Sequence, residues 1–362
     1  MTKRNRTWWG TLGRIAATLV VLVVAAFLVP AWTPSLPGDR SIASLETVVL
    51  GGLDQRLLVR GTDREAPVLL WVHPGPGLAT IPFSKAFTRE LERHFVVVQL
   101  DQRGAGASCS GAAYSRGVSF EALVEDTIEL AGNLTRRFAK DRIFLAGHGY
   151  GASMAAVAAS RRPDLFHAFV AVDLLVHAVR GERESLEFAR NGLAARGDEA
   201  GVHWASTRTI PYPMRAEFFR QRELLGSVGG ETASGRGVFQ FALPGLFAPE
   251  YTLLEKISYP RCFLRSMDSL LPDYWALDLF SSAPAVDVPV FFFTGRADHV
   301  ASATLIGEYA GVLRSPRKEQ VWFEESGHWP PFEEPARFQR ELIERLIPIA
   351  RSAGPARTGV KP

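Results

Sequence analysis

The sequence predicts an α/β fold with a mostly parallel central sheet flanked by helices and an inserted helical segment. Strands that are buried on both faces of a parallel sheet read as continuous apolar runs. Four such runs occur, at 68–72, 143–146, 168–172 and 290–293. Segments with apolar residues at helical spacing, such as 120–138, alternate with the runs, and this alternation is typical of an α/β sandwich.

The first 32 residues contain a basic tail followed by an apolar run. Within 15–29 only Thr18 is polar. With its flanks the run gives roughly eighteen apolar residues, about 27 Å as a helix, which is enough to cross the hydrocarbon core of a membrane. We therefore expect 1–32 to be a membrane anchor, with a cytoplasmic N-terminus and an extracytoplasmic folded domain. The alternative is a signal peptide that is cleaved after residue 31, which predicts a secreted protein.

Composition excludes several classes of function. The 362 residues carry a formal net charge of +3, and several of the positive charges lie in the basic tail. No basic stripe with interleaved aromatic residues occurs, so we expect no nucleic-acid partner. The sequence has no cluster of metal ligands and no phosphate-binding glycine loop, so we expect no metal and no organic cofactor. Cys109 and Cys262 are the only cysteines. One disulfide and two buried thiols remain equal alternatives.

The order of the runs predicts the domain organisation. Residues 33–172 form the first part of the core and 286–352 the second part, followed by a tail at 353–362. Between them, 173–285 interrupts the strand–helix alternation, is mostly helical in pattern and carries a glycine-rich break at 226–237. We interpret it as a helical cap. Caps of this kind cover a cleft at the carboxyl ends of the strands, where open α/β sheets bind small molecules.

Two glycine-containing motifs follow predicted strands in the first half of the core. In W-V-H-P-G-P-G at 71–77, the N–H of Gly75 can contribute to an oxyanion hole, whereas Pro74 and Pro76 have no N–H. The alternative is a tight turn without a chemical role. In L-D-Q-R-G-A-G-A-S at 100–108, we expect Asp101 and Arg103 to pair or to cap the loop, which is a structural role.

A third motif, L-A-G-H-G-Y-G at 145–151, lies where a strand passes into a helix of small residues. This is the place of the nucleophile elbow G-x-S-x-G, in which a serine attacks the substrate. Here the central position is Gly149, which has no side chain and cannot form an acyl-enzyme. The N–H of Tyr150, the next residue, is the expected second donor of the oxyanion hole.

The last two candidate residues follow later strands. Asp298 comes after the run at 290–293 and is expected to orient a histidine, and His328 comes after the next predicted strand and is expected to act as the base. An isolated histidine is usually a structural residue, but an Asp and a Gly-His in this order are more specific. Asp173, after an earlier strand, is a weaker candidate for the acid.

Taken together, these motifs resemble the α/β-hydrolase superfamily, and most closely its proline-iminopeptidase-like branch. That branch carries H-G-G-P-G, D-Q-R-G-x-G-x-S, G-x-S-x-G and late Asp and His residues. The resemblance implies an α/β-hydrolase fold and a serine-hydrolase activity on esters or amides. Two positions depart from the family pattern. Pro74 replaces a glycine of the oxyanion loop, and Gly149 replaces the nucleophile.

Three interpretations of Gly149 follow. The first is a pseudoenzyme that keeps a capped pocket for a small ester, amide or short peptide. The second is a working hydrolase that uses water activated by His328 and Asp298, or another nucleophile, with Ser108, Cys109 and Ser153 as the nearest candidates. The third is an active serine hydrolase whose sequence is altered at this position. Whether the chain is an enzyme therefore stays open at this point.

Overall fold

The computed structural model describes residues 14, 17–18, 27–235, 241 and 243–352. An eight-stranded sheet with the order β1-β2-β4-β3-β5-β6-β7-β8 forms its centre. The strands are β1 Ile42–Leu50, β2 Leu53–Gly61, β3 Val68–Val72, β4 Val96–Leu100, β5 Ile143–His148, β6 Phe166–Val172, β7 Val290–Gly295 and β8 Lys318–Phe323. Pairs β1–β2 and β2–β4 are antiparallel, and the other neighbouring strands are parallel. The prediction of a mostly parallel sheet is confirmed.

The continuous apolar runs have a direct structural cause. Strands β3, β4, β5 and β7 are buried along their whole length. Successive side chains of a strand point to opposite faces of the sheet, and here both faces carry an apolar core. Leu70 and Leu145 belong to one core, whereas Leu69 and Phe144 belong to the other. Both faces of these strands therefore require apolar residues, so apolar and polar residues do not alternate as they do in a half-exposed strand.

Helices flank the sheet and fill the long connection between β6 and β7. The helices are α1 Lys85–Thr88, α2 Gly111–Arg116, α3 Phe120–Arg137, α4 Tyr150–Arg161, α5 Ala178–Ala195, α6 Glu199–Thr207, α7 Arg215–Ser227, α8 Leu253–Trp275, α9 Leu279–Ser282, α10 Ala303–Val312, α11 Pro330–Glu333 and α12 Pro335–Ser352. Helices α5 to α9 follow β6 and precede β7. The limits predicted for the domains and the cap, 33–172, 173–285 and 286–352, remain predictions.

Helix α4 approaches strand β3 closely at Gly151. Every residue from Tyr150 to Ala159 is buried. A Cβ atom added to Gly151 would overlap the carbonyl oxygen of His73, at the end of the neighbouring strand β3. Only glycine permits this approach. The first turn of α4 is therefore held against the loop that follows β3.

A disulfide connects the sheet side of the molecule to the long helix α8. Cys109, in the loop after β4, is bonded to Cys262 of α8, and the described residues include no free cysteine. Helix α8 begins with a capping box, in which the Thr252 hydroxyl accepts from the Glu255 N–H and the Glu255 carboxylate accepts from the Thr252 N–H. The structure thus favours the disulfide over two free thiols.

The prediction of a single-pass membrane protein is wrong, judged by the length and the apolar character of the described helices. Among the described residues, no helix is long and apolar enough to cross a membrane. The prediction rested on the apolar run at 15–29 and its flanks. Most of that run lies outside the described residues, as does the tail predicted at 353–362.

Candidate functional site

Gly149 forms the turn between strand β5 and helix α4. Its backbone has φ 53° and ψ −120°, and its N–H donates to the carbonyl oxygen of Val172 at 2.8 Å, at the end of strand β6. A positive φ is strained for residues with a side chain but not for glycine. The residue is buried. The chain therefore makes the sharp strand-to-helix bend that was expected here, with no side chain at its centre.

His328 and Asp298 form a buried pair. The Nδ1 atom of His328 lies 2.9 Å from Oδ2 of Asp298. The other carboxylate oxygen of Asp298 accepts from the N–H groups of Val300 at 2.7 Å and Ala301 at 3.0 Å. Since a carboxylate only accepts, Nδ1 of His328 must carry the proton. The lone pair of the neutral ring is then on Nε2, which is the arrangement that a general base needs.

The structure brings His328 directly to the bend at Gly149. A Cβ atom built on Gly149 would lie 3.1 Å from Nε2 of His328 and 3.9 Å from Cβ of Pro74. The lone pair of the imidazole therefore faces the position at which a serine hydroxyl would stand. The three sequence-predicted positions, Gly149, Asp298 and His328, come together because they follow parallel strands, whose carboxyl ends share one edge of the sheet.

The two candidate donors of an oxyanion hole lie next to each other. Tyr150 is the first residue of α4, so its N–H belongs to the first turn, which has no partner within the helix. Gly75 lies against it, since a Cβ atom on Gly75 would be 3.2 Å from Cδ1 of Tyr150. Gly75 and Tyr150 are therefore neighbours, and the role of their N–H groups in an oxyanion hole remains a prediction.

A buried histidine fixes the loop that carries Gly75. The Nε2 atom of His73 accepts from the N–H of Gln102 at 3.2 Å, and Nδ1 donates to the carbonyl oxygen of Pro74 at 2.7 Å. Burial lowers the pKa of His73 to about 4, so the ring is neutral near pH 7. A neutral ring with one donor and one acceptor matches both partners. His73 is therefore a structural residue of this loop.

The other candidate nucleophiles are engaged elsewhere. Ser153 is fully buried and donates to the carbonyl oxygen of Leu175 at 2.6 Å. Ser108 donates to the carbonyl oxygen of Asp101 at 2.5 Å, and Cys109 is part of the disulfide. The hydroxyls of Ser153 and Ser108 and the sulfur of Cys109 are thus already bonded within the fold.

The expected pairing of Asp101 with Arg103 does not occur. Arg103 instead binds Asp126 of α3, with Nε donating to Oδ2 at 2.6 Å. Asp101 accepts from the hydroxyl of Tyr251 and from the N–H of Ala107 at 2.9 Å. Burial raises the pKa of Asp101 to about 7, and the hydrogen bond from Tyr251 opposes this rise. Asp101 thus caps the loop through Ala107, which was the other expected role, whereas Tyr251 and Asp126 are partners that are distant in sequence.

Sequence reasoning missed a connection between the inserted segment and the histidine loop. The N–H of His328 donates to the carbonyl oxygen of Glu231 at 2.8 Å. The carboxylate of Glu333, in α11, accepts from the N–H of Gly327 and from the N–H of Ala233, both at 2.8 Å. The signal in the sequence was the acidic pair at 333–334, shortly after the Gly-His motif. The glycine-rich stretch is thus bound to the loop that carries His328.

A cavity of about 410 Å³ lies at some distance from these residues. It is bounded by the start of α7 and the second half of α8, and its walls include Tyr212, Met214, Leu271 and Trp275. None of Gly149, Asp298 or His328 lines it. The predicted cleft over Gly149 is therefore not this cavity.

One group of described residues has the composition of a metal site. Nitrogen and oxygen atoms of His148, Asp173 and His328 lie within 4.8 Å of one another. The Nδ1 atom of His328 is occupied by Asp298, and Nε2 of His148 is bonded to the carbonyl oxygen of His328 at 2.7 Å. These hydrogen bonds account for the approach of the two imidazole rings without a metal ion. We assign no metal to this group.

Comparisons with known proteins identify relatives of the chain. The chain is 29% identical over 311 residues to a protein named probable aminopeptidase YbaC from Bacillus subtilis (strain 168), covering 85% of this chain and 97% of that one. A proline iminopeptidase-related protein of Thermus thermophilus matches with a TM-score of 0.60 and 22% identity, over 85% and 99% of the two chains. The proline iminopeptidase of Mycobacterium smegmatis matches with a TM-score of 0.61 and 17% identity, over 86% and 100%.

These two solved structures show a common fold, and a family model extends the likeness to sequence. The model, described as alpha/beta hydrolase fold, matches residues 67–335, which is well over half of the chain. The matched range includes the bend at Gly149 and both Asp298 and His328. The chain therefore belongs to the alpha/beta hydrolase fold family.

Proposed function

We propose that this chain is a hydrolase-fold protein that binds a small carbonyl compound over Gly149 but cannot attack it covalently. The observation that carries the proposal is the glycine facing Nε2 of His328 at the bend. A serine hydrolase transfers the serine proton to this nitrogen while the hydroxyl oxygen attacks the substrate. Without that hydroxyl no acyl-enzyme can form, so the chain is impaired as a serine hydrolase.

Hydrolysis by water is the reaction that the remaining groups support. Nε2 of His328 takes a proton from a water molecule as its oxygen attacks the carbonyl carbon. The carboxylate of Asp298 stabilises the imidazolium that forms, and the N–H groups of Gly75 and Tyr150 stabilise the negative oxygen. The protonated ring then returns the proton to the leaving alcohol or amine. The products are the free acid and that alcohol or amine.

The large contribution that a nucleophile makes to turnover predicts a slow reaction in its absence. In serine-protease triads, loss of the nucleophile lowers turnover by about 10⁶ and leaves roughly 10³–10⁴ over uncatalysed water attack. We therefore expect binding to be the main property of the site and hydrolysis to be slow. The alternative is efficient hydrolysis by water or by another nucleophile. It requires a turnover far above the roughly 10³–10⁴-fold acceleration that remains without the nucleophile.

The class of ligand is inferred from the site and from the relatives. Two adjacent N–H donors and a neutral imidazole suit an ester, an amide or a short peptide. The names of the relatives, an aminopeptidase and a proline iminopeptidase, favour the amide of a short peptide. We propose that 173–285 acts as the cap over this ligand, because its stretch at Glu231 and Ala233 is bonded to the His328 loop.

The purified chain can be tested with p-nitrophenyl acetate, proline p-nitroanilide and a fluorophosphonate probe. We expect slow hydrolysis without an initial burst, abolished in His328→Ala, and no covalent labelling by the probe. Addition of proline amide should shift the NMR signals of the His328 ring. Covalent capture of the fluorophosphonate at any residue would show a nucleophile and overturn the proposal. Unchanged ring signals at saturating concentrations of all the small ligands would exclude binding at this site.

A further inference from the structure

Asp173 is a fully buried carboxyl group that the mechanism above does not use. It follows strand β6, and its N–H donates to the carbonyl oxygen of Phe293 at 2.8 Å. Its Oδ1 atom accepts from the N–H of Gly295 at 2.9 Å. No described residue donates a hydrogen bond to its Oδ2 atom. A buried polar atom without a partner is unfavourable enough to require an explanation.

The neighbours of Asp173 are the groups of the candidate site. One of its oxygen atoms lies within 4.8 Å of a ring nitrogen of His328 and of one of His148. Asp298 contacts the same ring, with its Oδ2 atom 2.9 Å from Nδ1 of His328, and its charge contributes to raising the pKa of Asp173, after burial, the largest cause. Two carboxyl groups thus stand side by side next to one imidazole, and both are shielded from water.

Two adjacent carboxyl groups in a buried site cannot both be ionised, so one of them keeps a proton. Asp298 receives three hydrogen bonds, from the N–H groups of Val300 and Ala301 and from the His328 ring. Asp173 receives one, from Gly295. Donors stabilise the ionised form of a carboxyl group. The charge therefore belongs to Asp298 and the proton to Asp173.

We propose that Asp173 is a positioning residue that, as a neutral acid, donates a hydrogen bond from Oδ2 to the carboxylate of Asp298. The donor explains the atom that otherwise has no partner, and it holds Asp298 in place beneath the His328 ring. The proposal builds on the assignment of Asp298 and His328 under the proposed function. It adds that the acid of this site is a pair of carboxyl groups that share one proton.

The proposal also predicts what happens when Asp298 loses its charge. With Asp298 neutral, the repulsion that keeps Asp173 protonated disappears. Asp173 can then ionise and become the counter-ion of a protonated His328 ring, within 4.8 Å of it. Removal of either carboxylate alone should therefore destabilise the protonated His328 ring less than removal of both.

Other titratable groups face this pair and must be considered. Burial, the largest cause, and the charge of Asp298 raise the pKa of Asp173, and Glu333 of α11 adds to the rise. Burial and the neighbouring His328 lower the pKa of His148, so His148 is neutral. Glu231 lies close enough to His328 for their charges to interact. All of these groups remain unchanged in the variants below.

Infrared spectroscopy can detect the shared proton directly. At about pH 8.5 an ordinary carboxyl group is ionised, and so is Asp101, whose pKa is about 7. We expect the native chain to keep the band of a protonated carboxylic acid at this pH. Asp173→Asn should lose this band, whereas the matched variant Asp287→Asn, at an exposed aspartate outside the site, should keep it. A spectrum of Asp173→Asn identical to that of the native chain overturns the proposal.

NMR titration of the His328 ring tests the positioning role without relying on hydrolysis. We expect Asp173→Asn, which keeps a hydrogen-bond donor, to change the pKa of His328 little. Asp298→Asn should lower it, and the double variant Asp173→Asn/Asp298→Asn should lower it by at least one further pH unit, a tenfold change in proton affinity. Equal pKa values in Asp298→Asn and the double variant would contradict the shared role of Asp173.

These measurements separate the two proposals. If the chain proves to bind and hydrolyse nothing, the infrared band and the His328 titration still report on Asp173. If Asp173→Asn unfolds, Asp173→Glu and the native infrared spectrum remain as tests, because the band of the native chain needs no variant. Absence of that band in the native chain at about pH 8.5 overturns the inference.

Discussion

The Nε2 atom of His328 lies 3.1 Å from the point at which Gly149 would carry a Cβ atom. Real Cβ atoms are rarely closer than this to a neighbour, so the imidazole already occupies the edge of the space for a side chain. A side chain at 149 therefore requires the ring to shift by a few tenths of an ångström. A small side chain at 149 is therefore placed next to a base that can accept its proton.

The first prediction follows for Gly149→Ser. We expect the new hydroxyl to donate to Nε2 of His328 and to raise hydrolysis of p-nitrophenyl acetate at least about 100-fold, a small part of the roughly 10⁶ that a nucleophile contributes. The positive φ at this position should cost about 1–3 kcal/mol of stability. Rates and fluorophosphonate labelling check the first part, and urea unfolding checks the second.

Two controls isolate the hydroxyl in that experiment. Gly149→Ala has the same backbone strain and no hydroxyl, so it should lose similar stability without gaining activity. Adding His328→Ala to Gly149→Ser should remove the gain. If Gly149→Ser stays as slow as the native chain while remaining folded, the N–H groups of Gly75 and Tyr150 do not form a working oxyanion hole.

The second prediction concerns the pH dependence of stability through Asp101. Burial raises its folded pKa to about 7, above about 3.9 for the unfolded chain. The folded state therefore binds the proton of Asp101 more tightly than the unfolded chain does. The stability that this proton binding contributes is complete below the unfolded pKa and is lost as the pH rises through about 7. Asp101→Asn, which cannot ionise, should lack this loss.

Urea unfolding of both proteins at about pH 5 and about pH 8 checks this sign. The free energy of unfolding of the native chain should fall relative to that of Asp101→Asn over this range. The variant keeps an oxygen that can accept from Tyr251 and Ala107, so its fold should survive. Parallel changes in the two proteins would mean that Asp101 is already ionised in the folded state at pH 5.

Most of the sheet could be predicted because burial on both faces leaves a direct signal in the sequence. The edge at which the site lies was also predictable, since residues that follow parallel strands meet there. This reasoning placed Gly149, Asp298 and His328 near one another, and the structure brings them together. Their chemical roles are still predictions, and so is the role of the two N–H donors.

The partners of the charged residues could not be predicted in the same way. Asp126 lies in the amphipathic helix α3, where an acidic residue reads as part of a solvated face, and nothing local marks it as the partner of Arg103. Likewise, the shared environment of Asp173 and Asp298 depends on the approach of β6 and β7, whose order in the sheet no local pattern fixes. Contacts between distant segments are set by the packing of the whole chain.

The third prediction uses the buried pair Arg103–Asp126. Both side chains are buried, and removal of one partner leaves an unpaired charge. We expect Arg103→Met or Asp126→Asn to lower the free energy of unfolding by about 3–5 kcal/mol. The exposed pair Arg161–Glu121 provides the matched control, and Arg161→Met should cost at most about 1 kcal/mol. Similar losses of unfolding free energy at both pairs would show that burial does not set the cost of removing one partner.

The fourth prediction concerns the clamp that Glu333 forms between the glycine-rich stretch and the histidine loop. Its two carboxylate oxygens accept from the N–H groups of Gly327 and Ala233. In Glu333→Gln one oxygen becomes an NH₂ group, which cannot accept, so at least one of the two amides loses its partner. Hydrogen exchange should then accelerate at least about tenfold at Gly327, Ala233 or both, because hydrogen bonds to charged acceptors are worth about 1.5–3 kcal/mol.

The matched control for the clamp is Glu324→Gln, since Glu324 is exposed and its carboxylate binds a surface arginine, Arg296. This variant should leave exchange at Gly327 and Ala233 unchanged. The N–H of His328 donates to the carbonyl oxygen of Glu231 within the same connection, so loosening the clamp should also accelerate exchange at the His328 amide. If that amide stays protected while Ala233 exchanges faster, the glycine-rich stretch opens without moving the histidine, and a ligand could enter over a base that stays in place.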